Sequence, residues 1–232
     1  MSNDIEEGFE KIREKLLKEI KYMEICSNNN TNDNSIKFYE YFDTKENLII
    51  VMELCDTSLQ SILNERKNGF TPREIHDILN QLNNTFKIMK DNNIVHRDIK
   101  LVNILIKYKD NEKKKFIVKL TDYGISRQLN NDQCSTEIGT LNTMAPEVLN
   151  GEKYDDKCDL WSLGVIIYQL AFKDLPYKGE KLALLNKINK EGQKFLKQTD
   201  DSQLNDLIKQ LLIKDPNKRY SWEQYFNDSF FN

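Results

Sequence analysis

The segment His96-Arg97-Asp98-Ile99-Lys100-Leu101-Val102-Asn103 is followed directly by the apolar run Ile104-Leu105-Ile106, so we interpret it as a loop that enters a short strand. An aspartate and an asparagine five residues apart, with a lysine between them, can place a base, a cation and a metal ligand around one small volume. An isolated loop aspartate is usually a cap or turn residue. The whole pattern H-R-D-x-K-x-x-N favours a chemical role for Asp98 over that structural one.

A second acidic motif, Asp122-Tyr123-Gly124, lies 19 residues after Asn103 and directly after an apolar run at 116–120 that predicts another strand. Phosphoryl transfer needs carboxylate and amide oxygens that hold Mg²⁺, and a carboxylate that orients the attacking hydroxyl. The two segments together supply this set of groups.

Three further motifs follow towards the carboxyl terminus. They are Gly139-Thr140 with Ala145-Pro146-Glu147, then Asp159-Leu160-Trp161-Ser162-Leu163-Gly164, then Arg219 within Asp215-Pro216-Asn217-Lys218-Arg219. All five motifs, in this order, resemble the eukaryotic protein kinase family of the Ser/Thr type. In that family they are the catalytic loop, the metal-binding triplet usually written D-F-G, the end of the activation segment, the start of the central buried helix at Asp159, and the arginine that pairs with the A-P-E glutamate, here Glu147.

The resemblance implies a role for each residue of the reaction centre. Asp98 matches the catalytic aspartate, which orients the substrate hydroxyl and accepts its proton, and Lys100 would steady the transferring phosphoryl group. Asn103 and Asp122 match the Mg²⁺ ligands, and Lys100 with Thr140 opposite it resembles the Ser/Thr pattern. The implied cofactors are ATP and Mg²⁺, and the implied partner is a protein with a Ser or Thr acceptor.

The resemblance also implies where the nucleotide base would bind. Glu53 and Cys55 fall at the hinge, where backbone groups would bond the adenine edge. Met52 is the gatekeeper beside them, and Leu105 would lie beneath the adenine ring.

The activation segment suggests a regulatory switch. Thr136 lies three residues before Gly139, at a position where many relatives are phosphorylated, and Arg97 and Arg127 could pair with the added charge. This interpretation implies an upstream activating kinase. The alternative is an ordinary exposed threonine.

His96 and Tyr123, with Met23 and Phe38, match the family's regulatory stack. The alternative is ordinary core packing, and the regulatory stack is itself a form of core packing. Tyr123 replaces the usual Phe and adds a hydroxyl that needs a partner.

The predicted elements follow the kinase order. Apolar residues at steps of three and four predict an amphipathic helix over residues 5–25, and 36–42 and 48–53 are expected to form a hairpin. Thr71-Pro72-Arg73-Glu74 is a capping box with Pro at the first helical position, and the run 159–173 predicts a helix that is buried nearly all round.

We therefore expect an α+β, protein-kinase-like two-lobed fold. Residues 1–53 would form a truncated small lobe with the family's αC helix and a hairpin of its fourth and fifth strands. Residues 54–232 would form a complete α-rich large lobe with the catalytic loop, the activation segment and the helical core.

The resemblance breaks at the amino terminus. Gly8 is the only glycine before residue 69, so the glycine-rich loop is missing, and no V-A-I-K-like strand precedes the first helix. Glu19 matches the usual helix partner of the missing lysine, its alternative being a solvated helix glutamate. We expect an amino-terminally incomplete kinase whose small lobe is loose, self-associates or borrows strands, because a two-stranded hairpin is marginal by itself.

Two other functions are open from the sequence. A catalytically impaired, kinase-like scaffold or binding module has no chemical need for Asp98, Lys100, Asn103 and Asp122 together. A phosphotransferase that acts on small molecules fits poorly with the peptide-positioning stretch at 139–147.

Composition excludes other classes of function. The chain has 232 residues, with 34 basic and 37 acidic side chains and a net charge of −3, which argues against nucleic-acid or membrane-surface binding through bulk charge. Four scattered cysteines and two histidines do not supply a usual zinc set. No secretory signal is apparent, and the apolar stretch at 160–172 is too short to span a bilayer. A soluble cytoplasmic or nuclear protein is the expectation.

Overall fold

The structure is a computed structural model that describes residues 2–27, 33–44, 47–112, 114–123, 141–194 and 196–232. Its helices are α1 (Ser2–Ser27), α2 (Leu59–Glu65), α3 (Pro72–Asp91), α4 (Pro146–Asn150), α5 (Lys157–Phe172), α6 (Lys181–Glu191), α7 (Ser202–Leu211) and α8 (Trp222–Phe226). Its strands are β1 (Phe38–Asp43), β2 (Leu48–Met52), β3 (Thr57–Ser58), β4 (Ile104–Tyr108) and β5 (Phe116–Leu120). Short 3₁₀ turns cover Leu101–Asn103 and Ser229–Phe231.

The strands form two small antiparallel sheets. β1 and β2 make the predicted hairpin, in which the Thr44 N–H donates to the Asn47 carbonyl at 2.9 Å. The other sheet has the order β3-β4-β5, with Ile104 opposite Leu120. β4 begins directly after the predicted catalytic loop, and β5 ends directly before the predicted metal-binding triplet. The pairing of β4 with β5 therefore brings the two motifs to the same end of this sheet.

The chain before the hairpin pairs differently from the prediction. A strand was expected from residue 36, but β1 begins at Phe38. Ile36 instead donates its N–H to the Leu120 carbonyl at 2.9 Å, and the Leu120 N–H donates to the Asn34 carbonyl at 2.9 Å. Ser35 therefore forms a parallel bridge with the end of β5 and cannot join the hairpin.

Helix α3 has the predicted capping box. The Thr71 hydroxyl accepts from the Glu74 N–H at 3.3 Å, and the Glu74 carboxylate accepts from the Thr71 N–H at 2.8 Å. These bonds satisfy two donors that an uncapped helix would leave unpaired. The helix ends at Asp91 with Asn92 as its C-cap, and Asn93 takes the left-handed conformation at φ 54° that stops it.

Helix α5 lies at the centre of the helical part, as its apolar sequence predicts. All of its first eleven residues except Lys157 are buried, among them the polar Asp159 and Ser162. Gly164 allows α7 to approach, because a Cβ added there would lie 2.8 Å from Leu211 Cβ. The helix begins two residues earlier than predicted, at Lys157.

The hairpin has little cover on its outer side. Large apolar side chains are exposed on both strands, namely Tyr39, Tyr41, Phe42, Ile49 and Met52. α1 buries only part of its apolar stripe: Ile20 and Met23 are 2% exposed, but Ile12 is 40% exposed. A loose or self-associating small lobe stays a prediction, as does the lobe boundary at residue 53.

Within the described ranges, no helix has both the length and the apolar character that spanning a bilayer requires.

Candidate active site

The side chain of Asn103 joins the two acidic motifs. Its Nδ2 donates to the Asp98 carbonyl at 3.0 Å, to Asp98 Oδ2 at 3.2 Å and to Asp122 Oδ2 at 3.2 Å. The Asn103 carbonyl also accepts from the Thr121 N–H at 3.0 Å. The structure thus gathers Asp98, Asn103 and Asp122 into one small volume, as the spacing predicts.

Lys100 belongs to the same cluster. Its Nζ lies 2.9 Å from Asp98 Oδ2, and its side chain is 22% exposed, whereas that of Asp98 is 3% exposed. The lysine partly neutralises the buried carboxylate on one side and can reach solvent or a ligand on the other. The arrangement can orient a hydroxyl at Asp98 and place a cation beside a transferred anionic group.

The predicted catalytic loop is fixed to α5 through Asp159. The Asp159 carboxylate is 1% exposed and accepts the N–H groups of His96 and Arg97, both at 2.7 Å. Burial raises the pKa of Asp159 to about 7, and these two N–H donors oppose that rise. Arg97 has a φ of 65°, a conformation that costs a non-glycine residue roughly 1–3 kcal/mol and is held by the surrounding contacts.

His96 connects the loop with the segment that follows β5. Its Nε2 lies 3.1 Å from the Thr121 carbonyl, and its Nδ1 accepts from the Asp98 N–H at 3.3 Å. Burial lowers the pKa of His96, so the neutral ring with its proton on Nε2 satisfies both contacts. The ring also contacts Tyr123, with 5.3 Å between the centroids.

Asp122 and Tyr123 are held from two directions. Asp122 has a φ of 61°, and its carboxylate faces Asn103. Tyr123 is 2% exposed, and its hydroxyl is bonded to the Ser35 hydroxyl and to the Cys26 thiol. The sequence predicted that this hydroxyl needs a partner but did not identify Ser35 or Cys26.

The predicted hinge residues lie between the two sheets. The Glu53 N–H donates to the Lys37 carbonyl at 2.8 Å. Met52 is 42% exposed, and Cys55 and Leu105 are partly buried. Met52 is the last residue of β2, Glu53 and Cys55 follow it, and Leu105 lies in β4 opposite Ser58 of β3.

The Glu53 carboxylate has a role that the sequence analysis missed. It is 8% exposed and lies 2.5 Å from Lys107 Nζ and 2.9 Å from Lys119 Nζ. Burial by itself would raise the pKa of Glu53, but the two lysines outweigh it and the pKa is lowered. The Lys119 Nζ also donates to the Asp33 carbonyl at 2.6 Å. These bonds fasten the hinge and the segment after α1 to the sheet of β4 and β5.

Glu19 is a carboxylate on α1 that interacts electrostatically with Asp122. Burial, and after it the negative charge of Asp122, raise the pKa of Glu19 to about 7. Glu19 is partly buried on α1, and its regulatory role stays a prediction.

The donor groups fit a magnesium ion. Mg²⁺ prefers carboxylate and amide oxygens, and the Asp122 carboxylate and the Asn103 amide supply both. Because Asn103 Nδ2 points to the two carboxylates, its Oδ1 is the atom that could face a cation. The acidic environment around Asn103 favours a divalent cation there.

Glu147 and Arg219 form the predicted buried pair. Arg219 Nη1 and Nη2 bond the two Glu147 carboxylate oxygens at 2.7 and 3.0 Å, and both residues are at most 3% exposed. The guanidinium also donates to the carbonyls of Ile213 and Lys157, both at 2.9 Å. The pair fastens α4 to α5 and to the segment after α7.

Three predicted site residues, Thr140, Arg127 and Thr136, lie outside the described residues.

Fold and site together have the arrangement of a protein kinase domain. The family model described as "Protein kinase domain" matches residues 3–231, so the chain belongs to the protein kinase family, which confirms the resemblance and the α+β kinase-like fold.

Curated relatives carry Ser/Thr kinase names. The chain is 32% identical over 206 residues to serine/threonine-protein kinase 33 of Bos taurus, covering 84% of this chain and 42% of that protein. It is 35% identical over 215 residues to serine/threonine-protein kinase pakG of Dictyostelium discoideum, covering 90% of this chain and 17% of that protein. It is 28% identical over 228 residues to serine/threonine-protein kinase ATG1a of Arabidopsis thaliana, covering 95% of this chain and 35% of that protein. The chain therefore spans less than half the length of each of these relatives.

Proposed function

We propose that the chain catalyses transfer of the γ-phosphoryl group of ATP to Ser or Thr hydroxyls of protein substrates. The observation that carries this proposal is the Asn103 amide, which bonds Asp98 and Asp122 at once while Lys100 lies on Asp98. A base, a cation and a metal-binding carboxylate are thereby held within reach of one another, as phosphoryl transfer requires. The Ser/Thr kinase names of the relatives support the acceptor class.

The proposed mechanism assigns each group a task. Asp98 orients the acceptor hydroxyl and takes its proton, and Lys100 balances negative charge on the transferred group. Asn103 Oδ1 and the Asp122 carboxylate would hold Mg²⁺, which neutralises charge on the phosphates when it is bound. The backbone of Glu53 and Cys55 would bond the adenine edge, beside Met52 and above Leu105.

The finer assignments rest on the resemblance. Thr140 would position the acceptor, and phosphorylation of Thr136 by an upstream kinase would raise activity, with Arg97 and Arg127 pairing with the added charge. Residues 1–53 would act as the small lobe and residues 54–232 as the large lobe.

A kinase-like scaffold or binding module is the second candidate, and Glu19 is the observation that favours it. Its raised pKa of about 7 indicates a carboxylate that no cation in the described part of the chain strongly compensates. In an active kinase this position pairs with a lysine that grips the nucleotide phosphates. A scaffold would keep the fold without the transfer reaction.

Phosphate transfer by wild type and Asp98→Asn separates the two candidates. With radiolabelled ATP and a mixed protein substrate, we expect Asp98→Asn to lower the rate by roughly 10²–10⁴-fold. The matched control is Asp206→Asn, because Asp206 is a 70% exposed aspartate on α7, far along the chain from the site residues. Equal rates for wild type and Asp98→Asn would refute catalysis by this site. A wild-type chain that binds ADP without transferring phosphate would favour the scaffold.

A further inference from the structure

The Tyr123 hydroxyl is a buried polar group with two partners on a different part of the chain. It bonds the hydroxyl of Ser35, which is 2% exposed, and the thiol of Cys26, which is 0% exposed. Cys26 lies in the last turn of α1, and Ser35 lies in the segment between α1 and β1. A phenylalanine in place of Tyr123 would fill the same space but make neither bond.

Ser35 is a fixed anchor rather than a mobile partner. The residues on either side of it bond the backbone of Leu120, through the Asn34 carbonyl and the Ile36 N–H, both at 2.9 Å. The Asn34 side chain donates to the Val118 carbonyl at 3.0 Å. The position of Ser35 next to β5 is therefore fixed by bonds that do not involve Tyr123.

The residue beside Tyr123 needs such an anchor. Asp122 has a φ of 61°, and a non-glycine residue in this region persists only where its neighbours fix it. On its amino-terminal side, the Thr121 carbonyl lies 3.1 Å from His96 Nε2. On its carboxyl-terminal side, the Tyr123 hydroxyl is bonded to Ser35. The Asp122 carboxylate faces Asn103, at 3.2 Å from its Nδ2.

We propose that the Tyr123 hydroxyl is a positioning group for the metal-binding carboxylate: its bonds to Ser35 and Cys26 hold the backbone of Asp122 in the strained conformation that faces Asn103. The link to metal binding rests on the proposed function. The conformational part does not, because it concerns contacts within the chain alone.

Hydrogen exchange tests the conformational part in the absence of nucleotide and metal. We expect Tyr123→Phe to speed exchange of the backbone amides of 120–123 about tenfold, the change expected when a buried hydrogen bond is lost. Tyr225→Phe is the matched control, since it removes a fully buried hydroxyl that donates to Asn83 at 2.9 Å, between α8 and α3. Equal exchange at 120–123 in the two variants would overturn the proposal.

A second variant addresses the same contact from the other side. Ser35→Ala removes only the hydroxyl partner, and we expect it to speed exchange at 120–123 as Tyr123→Phe does. The double variant should be no faster than the faster single variant, because Tyr123→Phe already removes the contact that Ser35→Ala removes. Additive effects would show that the two residues act separately and would overturn the proposal.

Magnesium dependence of ADP binding tests the link to the metal. We expect Tyr123→Phe to raise several-fold the Mg²⁺ concentration at which ADP binding, followed by calorimetry, is half-maximal. Affinity for ADP at saturating Mg²⁺ should stay close to wild type, because the metal then stabilises the required Asp122 conformation. A purely structural role would lower affinity at all Mg²⁺ concentrations and would overturn the positioning role. A wild-type chain that binds no ADP would reject the proposed function, and the exchange comparison would then decide the conformational part.

Discussion

Replacement of Glu19 by glutamine should stabilise the folded protein above neutral pH. Glu19 is partly buried on α1, and its pKa is raised from 4.5 to about 7, first by burial and second by the charge of Asp122. At higher pH the wild type must therefore keep an ionised carboxylate where its neutral form is preferred. Glutamine has nearly the same shape and carries no charge at any pH.

The size of the effect follows from the pKa change. A rise from 4.5 to about 7, at about 1.4 kcal/mol per unit of pKa, corresponds to an upper limit of roughly 3 kcal/mol. Because the folded pKa is the higher one, folding favours the protonated form. This favourable contribution is complete below pH 4.5 and is lost as the pH rises towards about 7. Because solvent screening reduces this limit at a partly exposed site, the unfolding free energy of wild type should fall by roughly 1–2 kcal/mol relative to Glu19→Gln between about pH 5 and pH 8.

Urea unfolding followed by circular dichroism measures this difference. All other ionisable groups are common to the two proteins, so the difference between their unfolding free energies isolates the effect of Glu19. Glu14→Gln is the matched control, since Glu14 is an exposed glutamate on the same helix. A difference between wild type and Glu19→Gln that stays within about 0.5 kcal/mol from pH 5 to pH 8 would refute the reasoning.

Asp122→Asn separates the two causes of the raised pKa. This variant keeps the burial of Glu19 but removes the negative charge beside it. When Glu19→Gln is made in the Asp122→Asn protein, its pH-dependent effect on the unfolding free energy should be smaller than in wild type. The effect should not vanish, because burial is the larger cause of the raised pKa. An unchanged effect would show that the two carboxylates do not interact.

Three further predictions concern stability and association. Arg219→Ala should lower the unfolding free energy by roughly 3–5 kcal/mol in urea, because it leaves a buried carboxylate without its partner; a loss below about 1 kcal/mol would contradict this. Gly69→Ala should cost roughly 2–3 kcal/mol in the same assay, since a Cβ would lie 2.1 Å from the Ala171 carbonyl oxygen, and wild-type stability would argue against the clash. Ile49→Lys on the exposed hairpin should weaken self-association in sedimentation velocity, whereas Leu182→Lys, at a 73% exposed site on α6, should not. A wild type that is monomeric at all concentrations would exclude association through the hairpin.

The part of the site that the sequence predicts is the part that local spacing determines. Asp98 and Asn103 are joined by a loop of only four residues, so their approach is nearly inevitable once the loop enters β4. Asp122 follows the neighbouring strand β5, and antiparallel pairing of the two strands brings it to the same edge. The α3 capping box is local in the same sense, because its two bonds lie within four residues.

The contacts that sequence reasoning missed join distant residues of ordinary type. Ser35 and Tyr123 are 88 positions apart, and no pattern distinguishes this serine from the others. Glu53 was assigned for its backbone alone, whereas its side chain pairs with Lys107 and Lys119, two of many lysines. Such partners depend on how the sheets and α1 pack, and that packing is not encoded by spacing along the chain.

The segment that carries Asp122 is contacted by residues from two parts of the chain, and one of these parts includes α1. Asn103 and His96 hold the segment from the predicted large lobe, and Asp159 fixes the loop that carries His96. Tyr123 connects the same segment to α1 through its bond to Cys26. The charges of Glu19 on α1 and of Asp122 also interact. A shift of α1 would therefore remove a bond that supports the strained Asp122 backbone and change the charge beside its carboxylate. Asp98, Asn103 and Asp122 all lie after residue 53, but the contacts of Tyr123 with Ser35 and of Asp122 with Glu19 come from residues before it.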